Sequence, residues 1–250
     1  MTYRGSRMHV LDWAEQPRFI PELLALAQPV ACRVTAHSKW APLGYKNPDE
    51  AKLDTFGPQA IPNHAAWPAL RAWWLKYERG ANTPNWDIAL SCEIEGGPGL
   101  ILVEAKANER ELSDAGKRVG AQSSAASQAN HERIGETIAE ACTQLAPLYP
   151  GISIGRDRHY QLSNRIAFAW RLASLGIPTV LIYLGFLDDS GISNIGAPFR
   201  DESHWLQVFG EHLSSVCPAP MCECVTDCGA ANFWLLARSR RVLESSSPVI

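Results

Sequence analysis

Asp87, Glu104 and Lys106 are the residues whose types and spacing best suit chemistry. Glu104 and Lys106 sit two apart, so on an extended strand both side chains leave the same face. Asp87 lies upstream across a glycine-rich stretch, Glu95-Gly96-Gly97-Pro98-Gly99, of the kind that reverses a chain. An antiparallel pairing around that turn sets Asp87, at the start of one strand, level with Glu104, near the end of the next. Two carboxylates and an ammonium then converge on one patch. Carboxylate pairs hold hard cations such as Mg²⁺ or Mn²⁺, which prefer oxygen and keep several waters. A cation held there lowers the pKa of its water and clamps phosphoryl oxygens. An adjacent lysine can orient or deprotonate that water, or stabilise charge building on phosphorus.

The elements that must position these residues are legible around them. In 87–94, Ile88, Leu90, Cys92 and Ile94 alternate with Asp87, Ala89, Ser91 and Glu93, the period of a strand. In 100–106, Leu100, Leu102, Glu104 and Lys106 share one face, and Ile101, Val103 and Ala105 the other. The small Ala89 and Ser91 on the Asp87 face suggest room for a phosphate. A helix opened by Pro68 runs through Leu70, Trp73, Trp74 and Tyr77, and Gly80 stops it. Residues 108–129 read as a polar loop or insertion. Ile134, Ile138, Cys142 and Leu145 then mark an amphipathic helix. The segment 162–175 is apolar nearly all round, with Gln161, Asn164, Arg165 and Arg171 on one stripe. The continuous apolar run 179–186 predicts a strand covered on both faces. Helix then strand suggests the return half of a crossover beside the hairpin. A helix near 204–216 and a last strand at 232–237 complete the pattern.

The joint pattern resembles the PD-(D/E)xK signature of restriction-endonuclease-like nucleases: Asp87, a glycine hairpin, then Glu104-Ala105-Lys106 after the apolar Leu100-Ile101-Leu102-Val103. The motif spans about 20 residues, and the order of elements extends the resemblance over roughly 68–186. The residue before Asp87 is Trp86 rather than proline. The resemblance implies an α/β fold with a restriction-endonuclease-like mixed central sheet flanked by helices. It implies Asp87, Glu104 and the Ala105 backbone carbonyl as ligands of Mg²⁺ or Mn²⁺, and Lys106 as the residue acting on the attacking water. The expected activity is phosphodiester hydrolysis of nucleic acid, DNA before RNA, by a chain that pairs as a homodimer in many relatives. The alternatives are a catalytically silent binding module on the same fold and a metal-dependent hydrolase of another substrate. Relatives also place an acidic residue on the helix before the hairpin, where Glu78 stands as a further metal ligand or as part of a solvated helix end. Exonuclease branches carry a glutamine on the helix after the second strand. Gln161 matches it, and with Asn164 and Arg165 it is either a substrate-binding stripe or an ordinary polar face.

Composition bounds these readings. The chain has 250 residues, 46% hydrophobic and 20% charged, which is ordinary for a globular protein and argues against disorder or coiled coil. Its 23 basic and 26 acidic residues give a net charge of −3, which excludes a chain-wide basic surface but not a local basic groove. Residues 1–65, punctuated by proline, read as an irregular extension packed on the core. Residues 66–250 read as the nuclease-like domain with a C-terminal appendage, within one structural domain. Seven cysteines at scattered spacing suit a reducing, cytoplasmic setting rather than a disulfide scaffold. Cys217, Cys222, Cys224 and Cys228 match no standard pair of knuckles, so small apolar packing is favoured there over a Zn²⁺ or iron–sulfur site. The N-terminus shows no signal-peptide pattern. The most apolar stretch, 166–187, is interrupted by Arg171 and Gly176-Ile177-Pro178, so no membrane association is expected.

Overall fold

The hairpin forms as its alternation requires. The computed structural model describes residues 4–189 and 196–242. Met1–Tyr3, which open the stretch read for a leader, and the end of the C-terminal appendage lie outside them. Strands β5 (Ile88–Ile94) and β6 (Gly97–Lys106) pair antiparallel, with Ile88 opposite Val103 and Ile94 opposite Gly97. One step past Ile88, the same register brings Asp87 level with Glu104. Glu95 and Gly96 turn the chain with φ of 54° and 81°, the left-handed pair that a tight hairpin needs.

The sheet is mixed. β1 (Cys32–Arg33) and β2 (Trp40–Ala41) both line the outer edge of β5. β6 pairs parallel with β7 (Thr179–Leu187), and β7 parallel with β9 (Asn232–Arg241). A short antiparallel β8 (Val225–Asp227) closes the far edge. The order is β1-β5-β6-β7-β9-β8. A separate two-stranded ribbon joins β3 (Ala51–Lys52) to β4 (Asn85–Trp86), with Ala51 opposite Trp86.

Both faces of the sheet are covered, so alternate residues enter two cores. Ile88, Leu90, Ile101, Val103 and Ala105 join Val10, Trp13, Phe19 and Leu23, supplied by α1 (Ser6–Ala14) and α2 (Phe19–Leu26). Ala89, Leu100 and Leu102 face the opposite core. There they meet residues of α3 (Leu53–Ala60), α4 (Ala66–Trp74), α5 (Ala125–Leu145), α6 (Tyr160–Ser174) and α7 (Glu202–Ser214). Phe168 of α6 anchors that side, with its ring 4.6 Å from Trp74 and 5.6 Å from Trp73 in edge-on contacts. The connection β6–α5–α6–β7 is the crossover expected between the parallel strands, with α5 as its inserted helix. No helix among the described residues is long and apolar enough to cross a membrane.

Residues 1–65 hold three short helices of eight or nine residues, in keeping with the proline punctuation, and α1 buries His9, Val10, Leu11 and Trp13. Two expectations need correction. The helix opened near Pro68 ends at Trp74 rather than running through Tyr77. The Asn130 carboxamide oxygen accepts from the backbone N–H of Lys76 and Tyr77 at 3.0 and 2.8 Å, and its amide donates to the Tyr77 carbonyl at 2.7 Å. A side chain from α5 thus satisfies a segment that would otherwise continue as helix. Ala89 and Ser91 do not make the expected room for a phosphate beside Asp87, since neither lines the hollow around that residue. Ala89 is fully buried, and the Ser91 hydroxyl accepts from the Lys39 backbone N–H at 2.8 Å.

Lys106 pairs with Gly185 across the β6–β7 ladder. A Cβ on Gly185 would stand 2.4 Å from the buried Trp205 ring. Gly185→Ala is therefore expected to push α7 off the sheet beside the site. We expect a loss of about 1–3 kcal/mol of stability, read as a lower urea midpoint, from overpacking of this kind.

Candidate functional site

At the C-terminal end of β6 the strand delivers Glu104 and Lys106 to the face crossed by the first turns of α6. Gln161, Asn164 and Arg165 lie at i, i+3 and i+4 on that helix, so one face carries all three. The sequence stripe is real, and it points inward: Asn164 and Arg165 are buried. Lys106 Nζ donates to Glu104 Oε1 at 2.6 Å and to Gln161 Oε1 at 2.8 Å. Arg165 Nε donates to Glu104 Oε2 at 2.7 Å. Its two terminal nitrogens donate to Asn164 Oδ1 at 2.9 Å and to the Asn85 carbonyl at 2.6 Å. The guanidinium also stacks over Trp86, 4.5 Å from the ring centre. With each of its nitrogens making a hydrogen bond, Arg165 holds Glu104 in place while also lining the cleft.

Asp87 takes its place between the ribbon strand β4 and β5. Its Oδ2 accepts the Ala105 backbone N–H at 2.8 Å. Ala105 turns its methyl into the opposite core, so its peptide is the part that serves the site. Asp87, Glu104, Gln161, Asn164 and Arg165 line one polar cleft of about 420 Å³. Lys106 lies beneath that lining and is only 4% exposed. Two of its three N–H groups are spent on Glu104 and Gln161.

Electrostatics separates the two acids. Burial, then the neighbouring Glu104 charge, pushes the Asp87 carboxyl up to about 7, against the pull of Lys106 and the Ala105 N–H. Burial acts on Glu104 too, but the Arg165 and Lys106 charges outweigh it and hold that carboxyl below its ordinary range. The pair therefore carries one negative charge in mild acid and gains the second as pH rises through neutrality, a division expected when two carboxylates share a poorly solvated site.

The acidic residue reached from outside the hairpin is Glu50, not Glu78. Glu78 lies beyond the end of α4, exposed, and pairs with Arg71 at 2.8 Å away from this cleft. With α4 ending at Trp74, Glu78 does not line the cleft that holds Asp87 and Glu104. Glu50 lines the cleft, accepts from Asn85 Nδ2 at 3.1 Å, and adds to the upward push on Asp87. The β3–β4 ribbon brings it there. The local sequence around Glu50 gives no signal of this, because the pairing partner lies about 35 residues away.

Asp87 and Glu104 are the carboxylates that could hold a hard divalent cation: among the described residues Asp87 keeps one oxygen without a hydrogen bond, Glu104 is held ionised with both oxygens engaged, and Glu50 also lines the cleft. Among the described residues no three His, Cys, Asp or Glu side chains form a ready metal cage. A cation in the cleft would thus lean on the two carboxylates, the Ala105 carbonyl and water. Elsewhere, Cys217 is buried, Cys222 and Cys228 are partly so, and Cys224 is exposed; all four are free thiols. Arg156 is held by Asp157 at 2.7 Å, and His159 packs against His212.

No family model, curated protein or solved structure matches this chain in comparisons with known proteins.

Proposed function

We propose that the cleft is the active site of a divalent-metal-dependent nuclease of the PD-(D/E)xK kind. The observation that carries this reading is the Lys106 ammonium, fixed between Glu104 and Gln161 on the strand whose partner delivers Asp87. Mg²⁺ or Mn²⁺ would supply a water of lowered pKa and a counter-charge for the phosphate. Asp87 and Glu104 would hold it, with the Ala105 carbonyl. Arg165 keeps Glu104 in one rotamer and ionised. Gln161 aims Lys106, whose remaining N–H can hold the attacking water or meet charge growing on the phosphate oxygens. Most of this contribution is pre-organisation: the groups that act are strand and helix residues already locked by partners.

One observation favours the silent binding module instead. Both oxygens of Glu104 are already engaged, by Lys106 and by Arg165. If those contacts outcompete a cation, the cleft binds without cutting.

The test is cleavage of supercoiled plasmid, single-stranded DNA and RNA with Mg²⁺ or Mn²⁺, beside Lys106→Ala. We expect wild-type turnover and a loss of about 10²–10³-fold in the variant, the typical cost of one electrostatic donor. Equal activity in both proteins would overturn the assignment. Absence of cleavage on every substrate, with no heat of Mn²⁺ binding by calorimetry, would select the silent module.

A further inference from the structure

A second hollow of about 330 Å³ adjoins the cleft. The two share Asn82, Lys117 and Ile134 as a common wall. The lining changes character across that wall. The cleft holds Glu50, Asp87 and Glu104, whereas the second hollow is lined by Lys117, Arg118, His131, Ser123 and Ser127 and, among the described residues, by no carboxylate. In a chain of net charge −3, such a one-sign pocket is a local departure. Neither Lys117 nor Arg118 makes an ion pair among the described residues. The Lys117 ammonium lies 4.9 Å over the Tyr160 ring, one residue before Gln161. The buried His131 Nδ1 has no hydrogen-bond partner. Ser123 and Ser127 flank the first turn of the 21-residue helix α5, whose dipole favours an anion although the Ser124 hydroxyl already caps the Ser127 N–H at 3.2 Å.

The backbone fixes Lys117 in place. Lys117 N donates to the Arg156 carbonyl at 2.8 Å, and Tyr160 N to the Ala115 carbonyl at 3.0 Å. Gly116 permits the approach: a Cβ there would meet the Asp157 carbonyl oxygen at 2.2 Å. The polar 108–124 segment is thus strapped to the start of α6 and presents Lys117 at the shared wall.

We infer that this second hollow is a phosphate-accepting track for a single nucleic-acid strand, receiving the phosphodiester next to the one held at Asp87 and Glu104. The inference rests on the nuclease reading for what the adjoining cleft does to the strand. Two small hollows in series, each on the scale of a ligand pocket, suit successive nucleotides of one strand. A duplex needs an open basic face, whereas the described lining of the two hollows offers Lys117, Arg118 and Arg165 as its cations. Burial pulls the Lys117 ammonium below its ordinary range, a cost that an incoming phosphate offsets.

The experiment measures binding and cutting separately. Binding of fluorescein-labelled single-stranded and duplex oligonucleotides is followed by anisotropy in EDTA, over a range of NaCl concentrations. The proteins are the full wild-type chain, Lys117→Ala/Arg118→Ala, and Lys117→Gln/Arg118→Gln as the milder pair, each checked for an unchanged thermal midpoint. For single strands the slope of log K against log salt is about −0.7 per phosphate contact. We expect wild type to prefer single strands, and both double variants to lower the slope magnitude by about 1.4 and weaken binding at least about tenfold at low salt. Unchanged affinity and slope in the variants, equal binding of duplex, or no single-strand binding by wild type would overturn the inference. Cleavage with Mn²⁺ is then read independently. Salt-sensitive binding through Lys117 and Arg118 without cleavage keeps the track and sinks the nuclease reading. Cleavage that both double variants perform at wild-type KM sinks the track alone.

Discussion

Asp87→Asn is expected to abolish cleavage and, in the metal-free protein, to raise stability above pH 7. The two effects share one cause. Asp87 sits where burial and Glu104 oppose its charge, so its carboxyl titrates near 7 instead of at the ordinary 3.8. A carboxyl raised on folding binds its proton more tightly in the native chain than in the unfolded one. Its contribution to stability is therefore fully present below about pH 4 and is lost as pH rises through 7. The gap between 3.8 and about 7 corresponds to ~4 kcal/mol at the upper limit. Asparagine keeps an oxygen for the Ala105 N–H and never ionises. Thermal scans of the metal-free proteins should coincide near pH 4 and separate by roughly 5–10 °C at pH 8.5, the variant being higher. Mn²⁺ should then raise the wild-type midpoint and leave the variant unmoved, since binding to the native state stabilises by mass action. A variant no more stable than wild type at pH 8.5 would mean that Asp87 is not electrostatically frustrated. A variant equally stabilised by Mn²⁺ would remove Asp87 from the metal site.

Arg165→Ala is expected to be the most destabilising change at the site. Glu104 is 2% exposed, and the guanidinium supplies one of its two cationic partners. Removing it leaves a buried carboxylate with Lys106 alone, abandons the Asn85 carbonyl and the Asn164 oxygen, and opens a void over Trp86. Breaking one side of a buried pair costs about 3–5 kcal/mol. For a chain of this size that is a fall of roughly 6–20 °C in Tm. Glu104→Gln placed in the Arg165→Ala background removes the orphaned charge and should recover part of the loss. Urea unfolding of the two singles and the double closes the cycle. If the double is as unstable as the sum of the singles, the pair is not coupled, and Arg165 matters only through its packing on Trp86.

The hairpin and the convergence of Asp87, Glu104 and Lys106 were legible because they depend on a period of two and a short turn. Glu104 and Lys106 must share a face whatever surrounds them, and Asp87 must fall level with Glu104 once Glu95 and Gly96 reverse the chain. The α6 stripe was legible for a similar reason: Gln161, Asn164 and Arg165 recur at helical spacing on an otherwise apolar segment. Its meaning was not, because only the fold shows that Arg165 turns onto Glu104. Contacts between distant segments were invisible. Glu50 reaches the cleft through a two-residue pairing with no sequence signature, and the end of α4 is set by Asn130, more than 50 residues downstream. Helix α1 escaped notice because Ser6–Ala14 carries polar Arg7, His9 and Asp12 among its few apolar residues, with no clean stripe.

The burial of both faces of β6 bears on how this chain can change. Every residue of that strand from Gly99 to Lys106 is claimed by one side or the other, and sidedness alternates without a gap. Losing or gaining a single codon between Gly99 and Lys106 would invert the assignment wholesale, sending Glu104 and Lys106 into the helix α1–α2 core and a methyl into the cleft. The hairpin turn, by contrast, has open space around Gly96 and Gly97 and can absorb length. Inherited variation in length should therefore collect at the turn and stop abruptly at Gly99. Across that boundary the strand behaves as a reading frame, kept whole or lost entirely.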